Sequence, residues 1–479
     1  MTGFPSDRPE PASERGMALV AALLLMMVMS GLAIALLASG RIETAMGDNE
    51  ELYAGARAAS EAGLNHTAAI ILQLTADPVY SLATLINGPD GLANPATESA
   101  SVNADNGRVT HLLGGTAPWS VTAGSPYTYD VRLLDDDDPA LKGGVPFTSV
   151  ELTAMGAGSA LNVEDGRRFN DVNGRLVIRS TGFGPRGTQA TLEQMLVPIE
   201  MPALLVDGNL TLAGNTRILG DQGSVHANGT LRVQNPSVFV AKDATSTGTL
   251  TTPGSWDPGG LESGGMPTIP VPNILAYNYR TTGDYFLQAN GRITSDYAGT
   301  TLVCNASASG GACRDITPPG GEGKFGLVYS SSSHDWTLNP GSASGTINEA
   351  TYYVFSDFSI TGHTSPSLSL SVIAEGNIIV TGNPDLQPEP ESQVQFVTNK
   401  DLKITGDISM PMEYAGHILV REQIDFYGSG SMVGQVVCQN VTSVSTLVTA
   451  NSVSGNFELR YDGGLEPLAY TVSGWRETQ

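Results

Sequence analysis

Basic residues are scarce in this chain. It carries 24 Lys+Arg against 48 Asp+Glu over 479 residues, a net charge of −24, and its cations are not clustered. Phosphate binding needs grouped Lys and Arg, so no nucleic-acid partner is expected, and anionic lipid headgroups fit poorly too. Only three cysteines are present, which excludes a disulfide-dense scaffold and a multi-cysteine zinc module. Charged residues reach only 15%, whereas glycine reaches 56 copies, a balance suited to short strands and turns rather than many soluble helices. Catalytic signatures are missing as well. The six histidines have no metal-ligand spacing, and Gly341-Ser342-Ala343-Ser344-Gly345 has alanine where a nucleophile elbow needs serine. Ser333-His334-Asp335 are adjacent in sequence, and adjacent side chains rarely face one another, so a loop is expected there. A protein that is not an enzyme, with no resident cofactor, is the expectation.

Proline is absent between Pro11 and Pro78, and the longest apolar run lies inside that window. MALVAALLLMMVMSGLAIALLAS, from Met17 to Ser39, holds no charge and is bordered by Arg15 and Arg41. Some 20 apolar residues at ~1.5 Å each span a bilayer core. A signal peptide has a shorter apolar region and ends in a small-residue cleavage site. Beyond Arg41, apolar residues such as Ile42, Ala45, Met46, Leu52, Ala56, Ala59, Leu64, Ala68, Ile71 and Leu72 recur at spacings near three and four. That is amphipathic helix periodicity. Residues 17–75 therefore read as one helix, transmembrane over 17–39, whose stripe from Ile42 to Leu72 packs on a sheet.

Three segments resemble type IV pilin-like proteins, and more narrowly the PilX-type minor pilins. A polar leader ends in Glu14-Arg15-Gly16 before the apolar run. Glu43-Thr44-Ala45-Met46-Gly47-Asp48-Asn49 follows the membrane segment, and Ala58-Ala59-Ser60-Glu61-Ala62-Gly63-Leu64 matches the family's next signature, with Ser473-Gly474-Trp475-Arg476-Glu477 as a further similarity at the C-terminus. The resemblance implies cleavage by prepilin peptidase between Gly16 and Met17. It also implies other pilin subunits and the pilus assembly machinery as partners. Two departures stand out. Ala21 occupies the fifth position of the mature chain, where most pilins carry glutamate, and the leader holds more acidic than basic residues. Subunits without that glutamate resemble those at a filament tip, which implies a minor or initiating role.

Strand signals appear at 127–134, 176–180 and 188–198, after a loop-rich connection over 76–126. With the helix they suggest a small pilin-like antiparallel head over 76–200. Between them lie Asp135-Asp136-Asp137-Asp138 and later Asp165, Asp171 and Asn173-Gly174. Asp135, Asp137, Asp171 and Asn173 are candidate calcium ligands, because hard oxygen donors suit Ca²⁺. The alternative is a solvated acidic turn with an Asn-Gly hairpin.

From about residue 201 a pattern repeats. Gly362, Gly382, Gly406 and Gly428 close successive copies, with apolar residues two and four places before each glycine, and Asp207–Gly214 is an earlier copy. Short strands separated by repeating turns indicate a β-solenoid over 201–479, with a β-sandwich as the alternative. The repeat blurs over about 243–350, expected as an excursion. Cys304 and Cys313 lie within it, and in an extracytoplasmic compartment they are expected to form a disulfide that clamps a small loop, with two separate thiols as the alternative. Cys438, in an apolar stretch, reads as a buried small hydrophobe. Asp207, Asp401, Asp407 and Asp425 could in principle form a carboxylate pair for glycoside hydrolysis, and solvated corners are the default explanation.

The fold class expected is α+β: a long N-terminal helix with a small antiparallel sheet, then a mainly-β domain. The expected localisation is the inner membrane, anchored through Met17–Ser39, with an extracytoplasmic body whose solenoid offers a face for a surface or glycan ligand.

Overall fold

The computed structural model describes residues 14–74, 113, 118–135, 175–308, 313–321, 323–342, 346–363, 367–389, 393–410, 414–441, 445–465 and 467–478. Helix α1 spans Glu14–Leu74 without a break. Its 61 residues extend roughly 90 Å at the standard rise. Every residue from 17 to 51 is exposed, and burial begins only after that.

The C-terminal part of α1 lies on a five-stranded antiparallel sheet. Its strands are β1 (Trp119–Ser120), β2 (Thr128–Asp135), β3 (Leu176–Phe183), β4 (Gln189–Pro198) and a closing strand, Tyr470–Thr478, in that spatial order. Alternation sorts the sheet's side chains. Tyr129, Val131, Leu133, Leu176, Ile178, Leu192 and Leu196 face Leu64, Ala68 and Ile71 of the helix and form the head's core.

The amphipathic stripe is shorter than its periodicity predicts. Ile42 and Met46 are 60% and 59% exposed, so the part that packs on the sheet runs from about Leu52 to Leu72. Periodicity shows that a face is apolar but not what covers it.

The remaining strands form a β-solenoid, as the repeat predicts. Each full coil has three short strands. The first coil supplies Leu204–Val206, Leu210–Leu212 and Arg217–Leu219 to three parallel ladders. Tight corners need glycine. Gly382 has φ +88°, and a Cβ there would lie 2.5 Å from the Gly362 carbonyl oxygen. Side chains reinforce the corners from coil to coil. Asn377 N–H donates to Asp357 Oδ1 (2.8 Å), Asp401 N–H to Asn377 Oδ1 (3.1 Å), Gln423 N–H to Asp401 Oδ1 (3.0 Å) and Thr230 N–H to Asn209 Oδ1 (2.8 Å).

The chain joins this stack in its middle. Leu204–Val206 pairs on one side with Val225–Ala227 and on the other with Ser431–Cys438, near the end of the chain. Coils grow outward from Leu204 as far as Glu262–Ser263. A strap then crosses the outside of the first face. Along it, Ile269 N–H donates to Asn228 Oδ1, Ile274 N–H to Gln439 Oε1 and Ala276 N–H to Asn399 Oδ1, so it passes coil after coil toward the opposite end. There Tyr285–Leu287 pairs with Ala350–Val354, and the coils return through Leu368–Ala374, Val394–Thr398 and Gly416–Val420 to Ser431–Cys438. The strap explains why first-face strands are buried on both sides. Leu205, Tyr353, Ile373, Val397, Leu419 and Val437 point outward and are covered by Ile274, Ala276 and Tyr279.

Two boundaries read from the sequence are corrected. Residues 244–263 still belong to coils, so the excursion begins about twenty residues later than 243. Residues 470–478 belong to the head sheet, not to the solenoid, because they pair with β4. The solenoid is thus an insertion between β4 and the closing strand. Its two connections meet at a neck where Ile199 N–H donates to Ala469 O at 2.9 Å.

Candidate functional site

The free half of α1 is the most unusual surface of the molecule. Met17, Leu24, Met27, Ile34 and Leu37 are each more than half exposed, and the helix's most apolar window has none of its surface buried within the chain. Covering a Leu, Met or Ile side chain is worth about 1.5–3 kcal/mol, so leaving this many in water would cost tens of kcal/mol. By length and composition the helix can cross a membrane. Gly16 and Met17 lie in the first turn of the helix, with Met17 74% exposed. Ala21 sits on the same bare segment.

The other half is gripped closely. Ala56, Ala59, Ser60 and Gly63 are buried against β3, and Ser60 Oγ donates to Ser180 O at 2.6 Å. Small residues let the backbones approach. A Cβ on Gly182 would lie 1.9 Å from Ala56 O, and one on Gly63 would lie 2.3 Å from Ser180 Oγ. The Ala58–Leu64 segment therefore has a physical role: Ala59, Ser60 and Gly63 are the contact surface. Glu61, on the outer side, pairs instead with Arg57 at 3.5 Å.

On the sheet's opposite face lies an ionic cluster that no sequence pattern marks. The fully buried Glu193 carboxylate receives Arg179 Nε at 2.6 Å on Oε1 and Arg476 Nε at 2.7 Å on Oε2. Arg179 comes from β3, Glu193 from β4 and Arg476 from the closing strand. On the helix side, Tyr53 Oη donates to Glu477, and Arg57 lies 3.8 Å from the same carboxylate. The closing strand thus ties helix to sheet.

The solenoid's carboxylates serve neighbouring coils. Asp207 Oδ1 accepts from Asn228 Nδ2 (2.9 Å), and Asp407 Oδ1 accepts Ser429 N–H (3.0 Å). Asp425 pairs with Lys403 at 3.7 Å and accepts from Ser452 Oγ at 2.6 Å. Asp401 is fully buried. Burial pushes its carboxyl above the usual range, opposed by Val448 N–H and by Gln423 N–H on its oxygens. Among Ser333, His334 and Asp335, Ser333 Oγ bonds Ser330 Oγ while His334 Nδ1 meets Tyr329 Oη, so the three do not form a relay.

Cys304 and Cys313 are joined by a disulfide with Cα atoms 6.3 Å apart. Cys438 is buried, and burial pushes its thiol up to about 12, well away from thiolate reactivity. Asp137, Asp171 and Asn173 of the calcium proposal lie outside the described residues, as does the Asp135 side chain. Among the described residues, no group of three or more His, Cys, Asp or Glu is arranged to hold a metal ion.

No family model matches the sequence, and no curated protein matches it. Among solved structures, the chain is similar to the competence-associated pilin ComZ from Thermus thermophilus. The match has 12% identity and a TM-score of 0.30, and covers 89% of this chain and 97% of that one.

Proposed function

We propose that this protein is a pilin-like minor subunit, of the PilX type, that contributes to the assembly or tip of a type IV pilus or related pseudopilus. The observation that carries the proposal is the division of α1: an apolar half with no cover of its own, rigidly continuous with a half locked onto a small sheet. A helix built this way exchanges lipid for neighbouring pilin helices as a filament forms, with no change in the head. Before assembly, Met17–Ser39 anchors the chain in the inner membrane, and the body lies on the extracytoplasmic side. Prepilin peptidase cuts between Gly16 and Met17. Other pilin subunits and the assembly machinery are the partners.

Ala21 supports a tip position, since a subunit with nothing ahead of it has no terminal amine for a carboxylate to engage, and a carboxylate in hydrocarbon is costly to keep. Bulk argues the same way, because an insertion running from Ile199 to Ala469 on every subunit would crowd a thin filament. In this reading the protein is not an enzyme, and the solenoid serves contact with a surface.

The test is the mass of the mature N-terminus in cells with and without prepilin peptidase. A chain starting at Met17 only when the peptidase is present supports the proposal. A chain that keeps residues 1–16 in both strains removes the pilus role and leaves a membrane-anchored solenoid.

A further inference from the structure

At the end of the solenoid farthest along the strap, two hairpin turns flank an open cleft of about 550 Å³, lined by Gln288, Ala289, Asn290, His334 and Phe355. That volume falls within the ~300–1,000 Å³ usual for small-molecule sites. His334 is held there in the left-handed region, at φ +63°, a conformation uncommon outside glycine. Its ring is fixed as well. Tyr329 Oη donates to Ala289 O at 2.6 Å, and His334 Nδ1 lies 2.8 Å from that Tyr329 oxygen and 3.1 Å from the same carbonyl. With its proton already committed to the carbonyl, the tyrosine oxygen is an acceptor toward the ring. Nδ1 therefore carries the imidazole proton, and Nε2 is left as the ring's acceptor.

The other groups are also pinned through their backbones. Trp336 Nε1 donates to Gln288 O at 3.0 Å, and Ser307 Oγ donates to Asn290 O at 2.7 Å. The Asn290 side-chain oxygen accepts Arg292 N–H, so its amide NH₂ is the donor it has left. Phe355 packs on Tyr297 with ring centroids 5.3 Å apart, and Tyr297 meets the half-exposed Tyr277 at 5.9 Å. A line of rings thus leads to the cleft. Among the described residues, no carboxylate, ammonium or guanidinium lines it, in a chain whose net charge is −24.

A cleft whose described lining is an aromatic ring, one fixed acceptor and two amides suits a neutral ligand with apolar faces and hydroxyl edges. We infer that this cleft binds neutral oligosaccharides. A pyranose ring rests its C–H face on Phe355, while its hydroxyls donate to His334 Nε2 and exchange hydrogen bonds with the Gln288 and Asn290 amides. The site belongs to the solenoid and does not rest on pilus assembly; it holds whether or not residues 1–16 are removed.

The test uses the full chain in lipid nanodiscs, which avoids sugar-headed detergents, on an array of neutral, sialylated and sulfated oligosaccharides. The tightest neutral binder is then titrated by calorimetry. The expected result is retention of neutral glycans and at least tenfold weaker binding for His334→Asn, Asn290→Ala and Phe355→Leu. Asparagine tolerates positive φ, so His334→Asn keeps the turn while replacing the imidazole acceptor. His334→Asn and Asn290→Ala lose only turn hydrogen bonds and should lower the melting temperature only slightly, which separates recognition from folding. Failure to retain any neutral glycan, retention of acidic glycans alone, or undiminished binding by all three variants would overturn the inference.

Discussion

Arg476 Nε donates to Glu193 Oε2 at 2.7 Å although 283 residues separate the two in sequence. The whole solenoid lies between them, so the head that holds the helix is finished by the last strand of the chain. Pairing at such separation carries a large loop-closure cost until the intervening chain is folded. A folded solenoid shortens the gap, because its two connections emerge side by side at Ile199 and Ala469. The insertion thus brings together the two ends that the head requires.

Arg476→Met tests that closure. It leaves the buried Glu193 with Arg179 alone, and breaking a buried ion pair by removing one partner costs about 3–5 kcal/mol, with the lower end expected because one arginine stays. Hydrogen exchange should speed up over the closing strand and β4 while the solenoid's ladders stay protected. In a double-mutant cycle with Glu193→Gln, the two losses should be clearly non-additive. Additive losses would mean that the pair is not coupled.

Gly182→Ala should release the helix. Its Cβ would lie 1.9 Å from Ala56 O and 2.6 Å from Ser60 N, both backbone atoms that a side-chain rotation cannot move. Overpacking of this kind costs about 1–3 kcal/mol or more. Ser60→Ala is the milder control: it removes one buried hydrogen bond, worth about 1 kcal/mol, and leaves Ser180 O without that donor. Protease sensitivity within residues 52–74 should rise strongly in the first variant and slightly in the second. Equal behaviour would show that close approach at Gly182 is not what seats the helix.

The helix and the solenoid were legible because their signals are local. A proline-free apolar run and the glycines at Gly362, Gly382 and Gly406 recur at spacings that backbone geometry imposes. The strap was not legible: Ile269-Pro270-Val271-Pro272 looks like a loop, and nothing nearby says that it covers Leu419 and Val437. The closing strand was hidden for the same reason, since its partner β4 is specified only by the folded neck. Of the cleft, Ser333-His334-Asp335 has the composition of a catalytic triad but not its geometry. What marks His334 is its positive φ and its Tyr329 contact, and neither has a sequence pattern.

Asp401 should make the solenoid's stability depend on pH. Burial raises its folded-state pKa, and the nearby Glu422 carboxylate adds to the shift. A raised carboxyl pKa contributes stability that is present below the unfolded value of about 3.9 and is lost as pH rises through the folded value. Asp401→Asn cannot ionise and should lack this loss. Denaturant unfolding of both proteins across pH 4 to 7 should therefore show the variant gaining on the wild type as pH rises. Parallel curves would mean that Asp401 titrates normally in the fold.

The neck predicts that the solenoid can be excised cleanly. Pro198 and Tyr470 are antiparallel partners, and Ile199 N–H already donates to Ala469 O at 2.9 Å, so the two chain ends left by excision are a hairpin lacking only its turn. Replacing residues 200–468 with Asn-Gly supplies the two-residue turn that suits such a hairpin. The five strands keep their order, Glu193 keeps both arginines, and α1 keeps its contacts with Ser180 and Glu477. A cooperatively melting head with protected amides in β4 and the closing strand is the expected outcome. Truncation at residue 200 removes the closing strand together with the solenoid and should lose that cooperativity. If the excised protein is as disordered as the truncated one, the solenoid supports the head through contacts beyond the neck, and the insertion is not an independent unit.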